Sequence, residues 1–430
     1  MSPRETAVRL RFLTVLCCGT ALYFFANIQR VAVPGAVFDR LQRLYGCQAA
    51  GVAGLGAAFM FAYALMQPLT GLLLERFGSG RVLLAGGSCF AAGVLCFARA
   101  ASLPAAYAAE ILAGLGAGSL YLTLIRENAR LFRARYTITL AVIILIGYSG
   151  GIAANAPLLL AVRKFGLGST FTAAGLLAAV CALLAAVLIL RGRLPEVQKQ
   201  HTFSPREFLP VFRLPHNWQL YLFSAMNFGL FYALQTVIGK KFMQDYCALS
   251  EVRAGWLFSA TGATAAVSGL VMAMASRLAG DRRRIFCRIA GVSCVGSYGA
   301  IFLLICCGVR SKALFAGLLV MLSSTASLST IVIPLLRETN PESLAGRAIC
   351  MLNFSFYLAV AIFGNLAGML LKFFTPVERA GAAVYGRGAW LTVFGVFLCC
   401  AAGVLFFSFR MKETYGRRQT VSSPDQEGAQ

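Results

Sequence analysis

One arginine stands inside the first long apolar stretch of this 430-residue chain, and polar residues recur around it at regular spacing. Tyr23, Asn27, Arg30 and Pro34 fall at i, i+4, i+7 and i+11, so they share one face of a helix. A guanidinium is always charged, and its planar fork suits a carboxylate or a phosphate. Snorkelling to headgroups, or a structural bond to a neighbouring helix, would use the same residue. Glu110 is the carboxylate set well within an apolar stretch, six residues after Pro104, with Gly114 and Tyr121 on roughly its own face. Ionisable groups at such depth are costly and mark solute or proton paths, which makes Glu110 a candidate proton carrier. Arg30 is its obvious partner. Such a pair could break on loading and so couple proton to solute, or it could be static and fix helix packing.

Softer candidates follow. Asn227 and Gln235 lie two turns apart with Phe231 between them, and Lys240-Lys241 ends that segment. Tyr148 and Asn155 sit among Gly147, Gly150, Gly151 and Pro157. A polar run spans Ser323 to Thr330, and Asn353, Tyr357 and Asn365 punctuate a later segment. Serine and threonine can bond their own helix, and asparagine bridges helices, so packing explains these residues equally well.

The elements that must position them are membrane helices. Hydrophobic residues make up 59% of the chain and charged ones 13%, unlike a soluble domain. Apolar stretches of about 18 residues or more recur, each long enough to cross about 30 Å of hydrocarbon as a helix. Twelve are expected, the first at 11–31, the second and third at 50–74 and 81–99, the fourth at 104–126 and the seventh at 218–239. The runs lack the period-two alternation of a barrel. The chain is thus read as an all-α integral membrane protein. The first run has no small-residue cleavage site and contains Asn27, Arg30 and Pro34, so it is expected to be retained.

Lys and Arg total 39, for a net charge of +23, and most fall on the side that holds both termini. That side is expected to be cytoplasmic in the cell membrane, and the charge is a topology signal, with no basic domain for nucleic acid. Residues 192–217, basic and holding both His201 and His216, should tether residues 1–191 to residues 218–411. Residues 412–430 are polar and expected to be disordered. Most of the fourteen cysteines lie in apolar runs as small hydrophobes, and no metal or disulfide pattern emerges. No nucleophile motif or phosphate-binding loop is present, so neither an enzyme nor a cofactor is expected.

Two loops about 200 residues apart carry related patterns. The first runs Gly71-Leu-Leu-Leu-Glu75-Arg76-Phe-Gly78-Ser-Gly-Arg81, and the second, Gly269 to Arg284, ends Gly280-Asp281-Arg-Arg-Arg284. With two sets of six spans and a basic central loop, the chain resembles the major facilitator superfamily, whose loop between spans 2 and 3 reads G-x-L-x-[DE]-R-x-G. Gly71, Leu73, Glu75, Arg76, Gly78 and Arg81 match it, although Glu75 replaces the usual Asp and Ser79-Gly80 replace basic residues. Glu110-Ile-Leu-Ala-Gly114-Leu-Gly116 resembles the family's R-x-x-x-G-x-G with Glu for Arg. Pro341 to Asn353 resembles the opening of span 11 in many members.

The resemblance implies twelve helices in two pseudo-symmetric six-helix halves that rock about a midplane site, in a monomer. Spans 1, 4, 7 and 10 would line the cavity, and Glu75, Arg76 and the other loop charges would latch the halves on the inner side. The expected substrate is a small organic anion, such as a sugar acid, carboxylate or phosphorylated metabolite, moved with protons. Arg30, Asn27, Tyr23, Asn227, Gln235, Tyr148 and Asn353 would bind it, and Glu110 would handle the proton. Rivals are a proton-coupled exporter of lipophilic cations and a transporter-like sensor that moves nothing.

Overall fold

The computed structural model describes residues 3–132, 136–192, 208–326, 328–379 and 382–417, and they are overwhelmingly helical. Expectations for His201, most of the central loop and the tail beyond residue 417 lie outside the described residues. Among the described residues ten helices are long and apolar enough to cross a membrane, and α5 (Tyr136–Ala153) with α6 (Ala156–Phe165) make an eleventh if this pair, bent by 51°, is counted as one span.

The connection expected at 71–81 narrows to a single non-helical residue. Helix α3 runs from Ala49 to Ala98, and Glu75 and Arg76 lie within it. Only Gly78 leaves helical backbone, at φ 76° and ψ 160°, a conformation that glycine alone adopts cheaply. Fifty straight residues would measure about 75 Å, over twice the hydrocarbon thickness, so α3 serves as two arms joined at that residue. Counted as two, it brings the spans to the expected twelve.

Helix α4 (Leu103–Leu131) starts where the Ser102 hydroxyl caps the Ala105 amide at 3.4 Å and Pro104 supplies a pre-set first turn. It is wedged against both arms of α3. A Cβ on Gly114 would strike the Phe59 carbonyl on one arm, and one on Gly116 would strike the Phe90 amide on the other. Small residues here let three backbones approach closely, as membrane packing requires.

The first helices of the two halves are built alike. Helix α1 (Pro3–Val31) passes through a π-turn, Ala32–Ala36, kinked where Val33 leaves helical backbone before Pro34, and into α2 (Phe38–Tyr45). Helix α9 (Pro215–Ala233) passes through a π-turn, Leu234–Ile238, into α10 (Gly239–Asp245). The two π-turns pack on each other, and a Cβ on Gly35 would meet the Thr236 carbonyl. Helix α9 begins at Pro215, earlier than expected, so His216 is buried in its first turn rather than carried in the linker.

Helix α7 (Leu167–Gly192) packs on α1 and α3, and a short helix, α8 (Leu209–Phe212), precedes α9. In the second half α11 (Glu251–Leu278) packs on α13 (Lys312–Ser324), and α12 (Arg283–Cys306) packs on α16 (Arg387–Phe409). Helix α14 (Ser329–Thr339) continues α13 across a break inside the polar run, and α15 (Glu342–Lys372) lies against α9. The halves meet where α15 packs on α3 and α11 on α5 and α6. An unforeseen hairpin, β1 (Val377–Arg379) paired antiparallel with β2 (Ala382–Val384), joins α15 to α16.

The start of the C-terminal tail is docked, contrary to expectation. The Glu413 carboxylate accepts the Arg283 and Arg284 amides at 2.7 and 3.1 Å, capping the N-terminus of α12. Thr414 is buried and donates to Glu338.

Candidate functional site: a central cavity around Arg30

A cavity of about 350 Å³ lies between the halves, lined by α1, α4, α5, α9, α11, α14 and α15. Arg30, only 4% exposed, is its buried charge. Asn27 sits one turn below it. The Asn27 amide nitrogen donates to the Tyr23 carbonyl at 2.8 Å, which turns its oxygen toward the guanidinium, and Arg30 donates to that oxygen. The faces of Tyr232 and Tyr357 flank the guanidinium at 5.5 and 5.8 Å. Among the described residues the Arg30 Nε has no hydrogen-bond acceptor. The arrangement holds a cation in place and leaves donor capacity over for an incoming acceptor.

The other candidates divide. Asn227, Tyr148 and Asn353 line the cavity, and Asn227 also donates to the Thr325 carbonyl at 3.3 Å. Gln235 lines it too, yet its amide is committed elsewhere. It donates to the Phe258 carbonyl and accepts from the Thr261 hydroxyl, both at 2.7 Å, so it ties a π-turn to α11. Tyr23 is buried behind the wall, with its ring stacked on Tyr121 at 5.6 Å and tilted to Tyr148 at 6.5 Å. In the span 10 run Ser329 lines the cavity, whereas Thr330 donates to the Gly269 carbonyl at 3.0 Å.

The expected pair of Arg30 with Glu110 does not form. Glu110 is fully buried, accepts from the Gln29 amide at 2.6 Å, and keeps its second oxygen unpartnered. Gln29 precedes Arg30, and successive helical residues point about 100° apart, so one faces α4 and the other the cavity. Glu110 is not among the cavity-lining residues.

A Major Facilitator Superfamily profile matches residues 15–364. This chain belongs to that superfamily. It is a multi-pass membrane transporter and not an enzyme. A curated relative, the oxalate:formate antiporter of Oxalobacter formigenes, is 29% identical over 167 residues, covering 38% of this chain and 40% of the antiporter. The match thus spans less than half of either protein. Three solved transporters share the fold. A bacterial homologue of the human lysosomal transporter Spinster, in an inward-facing and unoccupied conformation, has a TM-score of 0.74 at 15% identity, covering 96% of this chain and 99% of that one. The nucleoside transporter NupG gives 0.69 at 14%, with 93% and 98% covered. The peptide transporter POT in complex with sulfate gives 0.70 at 12%, with 95% and 96% covered. At these identities the likeness concerns the fold alone.

Viewed as a facilitator-type carrier, the molecule is shut at one end of the cavity. Arg163, Lys240 and Arg40 converge on Glu251 at 2.7, 3.7 and 3.9 Å. Lys241 bridges Asp39 and Asp245 at 2.8 and 2.9 Å and donates to the Ala383 carbonyl of the hairpin, while Lys240 donates to the Ala36 carbonyl of the first π-turn. Both lysines are buried, at 4% and 1% exposure, where the sequence suggests a membrane-surface position. Asp39, Arg40 and Arg163 belong to the first half, and Lys240, Lys241, Asp245 and Glu251 to the second. The ties therefore cross the interface.

Toward the other end the cavity runs to Gly346 and the exposed Arg337. Gly71 faces Cys350 there, and Glu75 and Arg76 are exposed. Among the described residues neither of these charges forms an ion pair across the halves, and Arg76 lies over the Phe77 ring at 5.2 Å. Ser79, standing where a basic residue is common, instead donates to Glu127 of α4. In the second loop Arg283 bonds Ser276 and Glu338 at 3.0 and 3.1 Å, a brace within its own half.

Sequence reasoning missed the tyrosine box and the Glu251 hub. Phe228, Phe231 and Tyr232 recur at helical spacing beside Asn227 and were the available signal for the first. The hub joins Glu251 to Arg163, 88 positions away, and to the still more distant Arg40, and no local pattern announces it.

Proposed function

We propose that this transporter carries a small organic anion by alternating access, with residues 1–191 rocking against residues 218–411 and Arg30 holding the anionic group. The observation that carries this reading is the buried Arg30 in a cavity with no lining carboxylate among the described residues. A cavity of about 350 Å³ sits at the small end of ligand pockets, and its tyrosine and phenylalanine walls limit the solute to a few carbons. The partial relative, by its name, exchanges two small carboxylates, which favours the same class. On this reading Asn27, Tyr232 and Tyr357 orient Arg30, Asn227, Asn353 and Tyr148 fit the rest of the solute, and Glu110 is a packing group outside the path. The excess of basic residues on the side of both termini supports a cytoplasmic placement of those termini and of the wide end of the cavity.

The test is a thermal-shift screen of the detergent-purified protein with lactate, oxalate, gluconate, glycerol 3-phosphate and, as a lipophilic cation, tetraphenylphosphonium. A ligand at a hundredfold excess over its Kd stabilises the folded state by about 2.7 kcal/mol. A shift from one of the anions, lost in Arg30→Ala, is expected. Shifts from the cation alone, unchanged by Arg30→Ala and lost in Glu110→Gln, would give the protein to the exporter reading.

A further inference from the structure

The charge of the cavity does not balance. Among the described lining residues only Arg30 and Arg337 are charged, and both are positive. Arg337 is exposed at the wide end and keeps its water. Arg30 is buried, and among the described residues it has no carboxylate within ion-pair distance. Its contacts are the Asn27 oxygen and two tyrosine faces, and its Nε is left without an acceptor. The carboxylates along the same helices are engaged elsewhere. On α4, Glu110 accepts from Gln29 and Glu127 from Ser79, Glu338 of α14 pairs with Arg283, and Glu251 of α11 gathers three cations at the shut end.

An alternating-access carrier must pass through a state in which both ends are closed and the cavity has contracted. Water that solvates Arg30 in the open cavity is then expelled. A bare guanidinium loses its hydration and gains no counterion, which is the costly way to bury a charge. The tyrosine faces return only part of what is lost. With an anion on Arg30 the pair enters the closed state neutral and hydrogen-bonded.

We propose that this protein is an exchanger: it rocks readily with an anion on Arg30 and only slowly when empty, so that inward movement of one anion requires outward movement of another. The proposal rests on Arg30 being the anion's seat. It assigns to the missing countercharge a role in the transport cycle, because the substrate itself completes the ion pair that the protein omits.

Wild-type protein in sealed liposomes tests it. Uptake of radiolabelled lactate, oxalate, gluconate and glycerol 3-phosphate is measured into vesicles preloaded with the same unlabelled anion and into vesicles holding only zwitterionic buffer. For the transported anion, initial uptake into preloaded vesicles is expected to be at least about tenfold faster, a modest barrier difference for an unpaired buried charge. Release of preloaded label should be stimulated similarly by external unlabelled anion. Equal rates with and without a trans anion would overturn the exchange proposal while leaving Arg30 as the binding group. If none of the four anions moves under either condition and none shifts the melting temperature, the anion reading itself fails and exchange falls with it.

Discussion

At the scale of single residues the site turns on what surrounds Arg30. Its Asn27 contact is a neutral acceptor, so the positive charge stays available to a solute. Replacing it with a carboxylate in Asn27→Asp would supply an internal counterion, and anion affinity is expected to fall by about tenfold or more, as close charge pairs of this kind are worth on the order of 1.5–3 kcal/mol. Titration calorimetry on the detergent-purified protein reads this directly, and an unchanged Kd would remove Arg30 from the binding site. Arg30→Lys keeps the charge but loses the planar fork and the stacking between Tyr232 and Tyr357, so it should bind more weakly than wild type and more strongly than Arg30→Ala. Glu110 belongs to a different environment, held by Gln29 against α4. Glu110→Gln preserves its size and one acceptor, and liposome uptake should stay within about twofold of wild type at pH 6 and pH 8. A collapse of uptake at one pH would return Glu110 to the role of proton carrier.

At the scale of elements, glycines and ion pairs divide the work. Helix α4 fits between the two arms of α3 because Gly114 and Gly116 put backbone against backbone. A methyl group at Gly116 has the Phe90 amide in its way, and backbone cannot rotate aside as a side chain can. Gly116→Ala is therefore expected to lower stability by about 1–3 kcal/mol, seen as a fall in melting temperature, whereas Gly317→Ala, with open space around its Cβ, should be nearly neutral. The shut end is held by charge. Glu251 is about one-fifth exposed and anchors three cations, two of them from the opposite half. In Glu251→Gln those cations face one another without their counterion. Amide exchange in segments 38–45 and 239–251 should accelerate by on the order of tenfold, since a partly exposed pair contributes about 1 kcal/mol and several converge here. Unchanged protection would mean that the π-turn packing alone keeps this end closed.

At the scale of the whole molecule the structure is a pair of similar six-helix halves, closed at the Glu251 end and wide at the end where α15 begins. Each half opens with a long helix, a π-turn and a short helix, and these matched units cross where the cavity is sealed. The loop motif lies at the wide end, where Glu75 and Arg76 are exposed and, among the described residues, form no ion pair with the second half. A latch formed by those residues would close only when the Glu251 end opens, and Arg76→Ala should then favour the present conformation. Labelling of the native Cys350, which lines the wide end of the cavity, by a thiol reagent should then rise in that variant when read by mass spectrometry, and unchanged labelling would argue against the latch.

The amino-acid sequence by itself determined the class of protein. Hydropathy is a local property, so runs of apolar residues located the spans, and the span expected to open at Pro104 opens there to within a residue. The duplicated loop and basic central segment pointed to the superfamily. Glycine positions were legible as close approach without revealing which backbone each would meet. What only the tertiary structure decided is direction. Gln29 and Arg30 are adjacent in sequence, yet one turns to Glu110 and the other to the cavity, because a single residue step is about 100° of rotation. The amide of Gln235 was visible as a polar group in a membrane, but its two bonds to α11 depend on helices brought together from a distance. The Glu251 hub gathers Arg40, Arg163 and Lys240 from three elements. Charge in a membrane is too costly to leave unpaired at random, so the partners that the fold supplies, and the one it withholds from Arg30, are settled by packing across the halves rather than by any pattern within one segment.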